Sequence, residues 1–165
     1  MPLLFSIFRL FVPATLIFLS SFSALSADTP IGFEADNVVV NELDGSLLAT
    51  GSVELKQANN TLRADEVTYY RQQNKSIARG NVIHTDEAGT VTRATMMELD
   101  TEFTHIIAET IIIQFENGEW LAADTVDRVA GDKATFDKSR YTPCKCDFIN
   151  GEQPLWEIKA SQSVR

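Results

Sequence analysis

The chain is poor in the residues that carry catalysis. Its 165 residues include only two histidines and two cysteines. His84 and His105 fall into neither a His-x-x-x-His nor a His-Glu-x-x-His spacing, and nothing in their placement with Cys144-x-Cys146 asks for a zinc ion. No glycine-rich phosphate loop runs from a strand into a helix, and no Gly-x-Ser-x-Gly elbow occurs. Basic residues are also scarce, 14 Lys and Arg against 23 Asp and Glu, for a net charge of −9. That balance excludes nucleic acid and simple electrostatic docking on anionic lipid, both of which need clustered cations. No segment shows a 3.6-residue apolar period of helical length. The expectation is a non-enzyme with no cofactor and no metal.

Long apolar runs are absent as well, except at the start. Leu10 to Ala27 is uncharged and apolar, follows Arg9, and ends in small residues around Ala24, Ser26 and Ala27. This reads as a secretory signal peptide over residues 1–27, with an exported domain over 28–165. One domain is what this length accommodates.

Against these absences stands a repeat. Ala35-Asp36-x-Val38 opens a frame that closes with Ala49-x-Gly51-x-Val53, and Ala64-Asp65-x-Val67 opens one that closes with Ala78-x-Gly80-x-Val82. Asp36 and Asp65 are 29 residues apart, Thr95 follows 30 residues later and Asp124 another 29, so the opening recurs four times. The closing frame is clear at Ala49, Ala78 and Ala108, and the fourth copy diverges. A fixed period of this size marks an array of one supersecondary unit.

The unit is β. Turn signals such as Asp44-Gly45, Asn59-Asn60, Gln73-Asn74, Glu87-Ala88-Gly89 and Asn117-Gly118 punctuate the chain, most of them about half a repeat apart. Between them lie short runs rich in Val, Ile, Thr and Tyr with period-2 alternation. Each repeat therefore supplies two strands and two turns of an antiparallel array. A glycine inside a strand weakens it unless it allows a bend, a bulge or a close backbone approach, and sheet curvature is the favoured explanation here. The repeated Asp reads as a strand-edge or turn-capping carboxylate.

Large apolar residues recur on the strands, among them Ile31, Phe33, Val53, Leu55, Val82 and the triplet Ile111, Ile112, Ile113. A closed sandwich buries such residues as core, whereas a sheet that curls without closing leaves a long apolar groove suited to an acyl chain. The two cysteines sit one residue apart. A mutual bridge is strained at this spacing, so partners on another chain, or in a part of the protein beyond this one, are equally open.

Pro30-Ile-Gly-Phe-Glu-Ala-Asp36, the strand Leu62 to Arg71, and the tail Ala134 to Ala160 with its Tyr141-Thr-Pro-Cys144 resemble one known family. It is the OstA-like domain of lipopolysaccharide transport, found in the bridge protein LptA, in LptC and at the N-terminus of the outer-membrane protein LptD. The tail is most similar to LptD. The resemblance covers nearly all of residues 28–165. It implies an open-ended, V-shaped antiparallel β-jelly roll whose interior passes lipopolysaccharide by its acyl chains, with Ile31 and Phe33 on the lipid path. It also implies that Cys144 bridges to cysteines of a β-barrel, with Cys146 as an unusual near neighbour.

The expected function is lipopolysaccharide transport toward the outer-membrane translocon, with Ile31, Phe33, Val53, Leu55, Val82 and Ile112 as candidate lipid-binding residues. Expected partners are lipopolysaccharide, an LptA-like bridge protein and the barrel and LptE-like components. The expected location is the periplasm, in association with the outer membrane. LptD continues into a barrel that is not present here, so the chain reads as a fragment or a separate domain. The alternative is a stand-alone LptA-like bridge.

Overall fold

The computed structural model describes residues 32–165 apart from 132 and 147; the expected signal peptide and Ile31 lie outside the described residues. Ten strands follow in chain order: β1 (Gly32–Glu34), β2 (Asn37–Val40), β3 (Ser46–Gln57), β4 (Asn60–Tyr70), β5 (Lys75–Thr85), β6 (Val91–Asp100), β7 (His105–Gln114), β8 (Trp120–Val129), β9 (Ala134–Thr142) and β10 (Ile158–Val164). From β3 onward each strand pairs antiparallel with the next, a plain meander. β1 and β2 both pair with β3, one on each half of its length. The expected all-β array of two-strand repeats is the observed fold.

The strands do not run straight. Ser52, Asn81, Thr110 and Lys138 take positive φ values of 46–52° midway along β3, β5, β7 and β9, a conformation that costs a non-glycine residue energy and turns the chain. The β3–β4, β4–β5 and β5–β6 ladders each shift register at this level. The bends align across the sheet and fold it onto itself. One half carries the β4–β5 and β6–β7 turns, the other the β3–β4 and β5–β6 turns, and their inner faces meet in a single core.

The repeated frame builds this bend. Each opening polar residue, Asp36, Asp65, Thr95 or Asp124, sits opposite the bend of the same copy. A side chain on Gly51 would collide with the Asp36 carboxylate, and one on Gly80 with the Asp65 carboxylate, so both glycines are required by close approach as well as by φ values of 76° and 71°. Asp36 N–H donates to the Gly51 carbonyl at 2.9 Å, and Asn81 Nδ2 donates to Asp65 at 2.8 Å. In the third copy Thr95 Oγ1 donates to the Glu109 carbonyl, and in the fourth Lys138 Nζ binds Asp124 at 2.9 Å. The fourth copy thus keeps the geometry with different chemistry. Asp65 and Asp124 lie mid-strand, opposite bends, rather than at strand edges or turn caps, whereas Asp36 sits in the break between β1 and β2.

The alanines of the frame have an equally simple role. Ala49, Ala78 and Ala108 are fully buried next to the bend, in a row across the ladders where they alternate with Val67 and Met97, small side chains between large ones.

Candidate lipid-binding clefts

Away from the bend the two halves diverge, and at the β1/β2 edge they leave an apolar cleft of about 300 Å³. That volume is at the lower end of the range for small-ligand sites. Phe33 and Leu55, direct partners across β1 and β3, form one wall. Leu47, Val67, Tyr69 and Leu99 of the other half form the opposite wall, with Phe103 between them and Ser76, Asp100 and Thr101 at the polar rim. Val38 and Val40 pair with Ala49 and Leu47, so they prolong the inner apolar face to the open edge, where Val40 is 61% exposed.

A second cleft of about 310 Å³ lies at the other edge, between Leu121, Tyr141 and Ile158 on one side and Phe136 and Ser163 on the other. It is more polar. The Arg165 guanidinium lies 4.0 Å over the Phe115 ring, and burial together with a hydrogen bond to Glu119 pushes the Tyr141 hydroxyl pKa up.

Between the clefts the interior is crossed. Phe103, on the β6–β7 turn of one half, stacks on His84 of β5 in the other, with ring centroids 5.3 Å apart and planes 12° from parallel. His84 is 2% exposed, and its Nε2 has no hydrogen-bond partner among the described residues. Desolvation depresses its pKa to about 4, outweighing the nearby Asp86 carboxylate, so the ring is neutral near pH 7. Asp86 and Arg128 face each other beside this stack at 4.0 Å.

The sequence candidates separate. Phe33 and Leu55 line the first cleft. Val53 and Val82 are 1% exposed in the packed core next to the bend. Ile112 is on the outer face, and its neighbours Ile111 and Ile113 are the residues that point inward. Sequence reasoning missed Leu47, Tyr69, Leu99 and Phe103, all from the opposing half. The strand register of Leu47 and Tyr69 marks them as one row, but nothing local says that this row faces Phe33.

Cys144 and Cys146 lie outside the interior, on the connection between β9 and β10. Thr142 anchors that connection: its Oγ1 donates to the Trp156 carbonyl at 2.9 Å and accepts from the Cys144 N–H at 3.2 Å. Both thiols are free; Cys144 is half-buried and Cys146 buried. Burial, and then the neighbouring Cys144 thiol, push the Cys146 pKa up to about 11. Among the described residues no cluster of His, Cys, Asp and Glu is arranged to hold a metal ion, and no helix is long and apolar enough to cross a membrane.

The family model for the LptA/(LptD N-terminal domain) LPS transport protein matches residues 33–140. The chain belongs to that family. Curated relatives include the LPS-assembly protein LptD of Paracidovorax citrulli, 26% identical over 132 residues that make up 79% of this chain and 16% of that protein. The LptD of Polaromonas sp. is 27% identical over 111 residues, 67% of this chain and 13% of that protein. The chain therefore spans about a sixth or less of the length of these LptD relatives. Among solved structures, LptH from Pseudomonas aeruginosa, described as the LptA-homologous periplasmic component of the lipopolysaccharide transport device, matches with a TM-score of 0.52 and 16% identity. The match covers 60% of this chain and 75% of that one, a likeness of fold. The LptD N-terminal family is one of transport proteins, in keeping with a chain that offers no catalytic constellation in its sequence.

Proposed function

We propose that this domain binds lipopolysaccharide by its acyl chains in the interior of the V and passes it toward the outer-membrane translocon. The observation that carries the reading is the apolar cleft between Phe33–Leu55 and Leu47–Leu99 in a chain of the LPS transport family. Burial of an acyl chain contributes about 0.8 kcal/mol per methylene, or about 8 kcal/mol for ten, without any charged group from the protein. This suits an acidic chain whose exposed inner residues at the β2 edge are valines.

Among the described residues the outer edges of β1, β2 and β10 pair with no further strand, which suits head-to-tail stacking with an LptA-like neighbour on one side and a partner of the translocon on the other. Cys144, half-exposed on the outer face, is the thiol we assign to a bridge with a β-barrel. The proposed site of action is the periplasm at the outer membrane. The LptH likeness favours a second reading, a separate bridge protein of the LptA kind.

A photo-crosslinking residue at position 33 or 34 tests the lipid path, because Phe33 and Glu34 point to opposite faces. Lipopolysaccharide captured at 33 and not at 34 supports the proposal. Equal capture at both positions would sink it.

A further inference from the structure

The inner face of the half that holds Phe33 can be followed strand by strand, because partners in antiparallel register share a face. The row runs Phe33, Leu55, Leu62, His84, Thr92, Ile113, Leu121, Tyr141 and Ile158. Its first members line the first cleft and its last three line the second. His84 is near the middle, and there the opposing half reaches across with Phe103. Beside it Arg128, whose register partner is the buried inner-face Ile106, reaches across to Asp86 on the β5–β6 turn. The mouth of the V is clasped at one level, between the two clefts.

The clasp differs in build from its surroundings. Phe103 belongs to no strand. It sits at φ 57° on the β6–β7 turn, and that turn is held by the Asp100 carboxylate, which accepts from both the N–H and the hydroxyl of Thr104. A turn residue leaves its place without breaking a sheet ladder, unlike Leu62 or Met97. Its side chain would give up the stack on His84 and its own burial, 6% exposed, while the Asp86–Arg128 pair at 4.0 Å is made by other residues and the unpartnered Nε2 of His84 adds no hydrogen bond to hold the ring.

We infer that the Phe103–His84 stack, with Asp86–Arg128 beside it, is the stop that sets how far an acyl chain advances from the first cleft, and that passage to the second requires Phe103 to swing aside. This deepens the proposed function and rests on it. The closed form holds lipid at the β1/β2 edge, and the displaced form joins the clefts into one groove.

Full chain carrying a photo-crosslinking residue at position 47 (first cleft) or 141 (second cleft) is incubated with purified deep-rough lipopolysaccharide and irradiated. In the native background, capture at 47 exceeds capture at 141. Phe103→Ala raises the ratio of capture at 141 to capture at 47 about fivefold, the factor to which an aromatic pair's contribution corresponds. Leu43→Ala, at an exposed turn, leaves the ratio unchanged. Phe103→Leu raises the ratio less and serves if the alanine variant loses its β circular dichroism. Capture at 47 with a ratio indifferent to residue 103 overturns the stop and leaves the proposed function standing. Absence of capture at both positions in every variant overturns the proposed function, and the stop with it.

Discussion

The carboxylate of Asp65 lies against the α-carbon of Gly80, fifteen residues away in sequence and adjacent across the β4–β5 ladder at the bend. A methyl group at position 80 has no room there, and the backbone φ of 71° resists any side chain. Gly89 has a φ of 77° with nothing near its α-carbon. The pair separates conformational cost from steric cost. Gly89→Ala is expected to lower unfolding free energy by about 1 kcal/mol and Gly80→Ala by about 3 kcal/mol, read from urea denaturation midpoints. Equal losses would mean that the Asp–Gly approach does not hold the bend.

That pairing also shows how much of the fold was legible in the sequence. The period, the strands and the turns follow from alternation and Asx/Gly punctuation. The bend itself was half legible: the glycine announced a local distortion, but its partner across the ladder gave no local sign. Asp36 and Asp65 are short-range in space and medium-range in sequence. Ile112 illustrates the cost. Strict alternation from Ile106 and Ala108 puts Ile112 inside, but the bend at Thr110 shifts the parity, and Ile111 and Ile113 point inward instead. Phe103 was hidden for another reason. It sits in a polar turn, and only the folding of the sheet onto itself brings that turn over His84.

Acid should loosen the molecule through His84. Its folded pKa, about 4, lies below the ordinary histidine value of 6.5, so between those values the unfolded chain binds more protons. Stability is then full above about pH 6.5, falls as pH drops toward 4, and stops falling from this source below that. The gap corresponds to up to about 3 kcal/mol. His84→Leu removes the titrating ring and the unpartnered Nε2 at similar volume. Denaturant titrations at pH 7.5 and pH 4.5 should show a smaller difference for the variant than for the native chain. An identical difference would assign the acid sensitivity to groups other than His84.

The two thiols should react unequally. Cys144 is half-buried, whereas Cys146 is buried with its pKa near 11, so iodoacetamide at pH 8 should modify the Cys146→Ser variant at least about tenfold faster than the Cys144→Ser variant. Under oxidising conditions the native chain is expected to form disulfide-linked dimers or mixed disulfides through Cys144. A monomer without free thiols that yields two on mild reduction would show an internal Cys144–Cys146 bridge and contradict the assignment of Cys144 to a partner.

Binding in the interior is the central claim, and one substitution addresses it directly. Phe33 lies on the short edge strand β1 and is 37% exposed, so Phe33→Asp leaves the core intact while placing a carboxylate on the wall of the first cleft. Equilibrium binding of fluorescent deep-rough lipopolysaccharide to the full chain should weaken at least about tenfold in Phe33→Asp, because an acyl chain cannot solvate the charge. The same change at Leu43, on an exposed turn, should leave binding unaltered. Undiminished binding by Phe33→Asp, with the β circular dichroism of the native chain, would contradict an acyl-chain site between the two halves of the sheet.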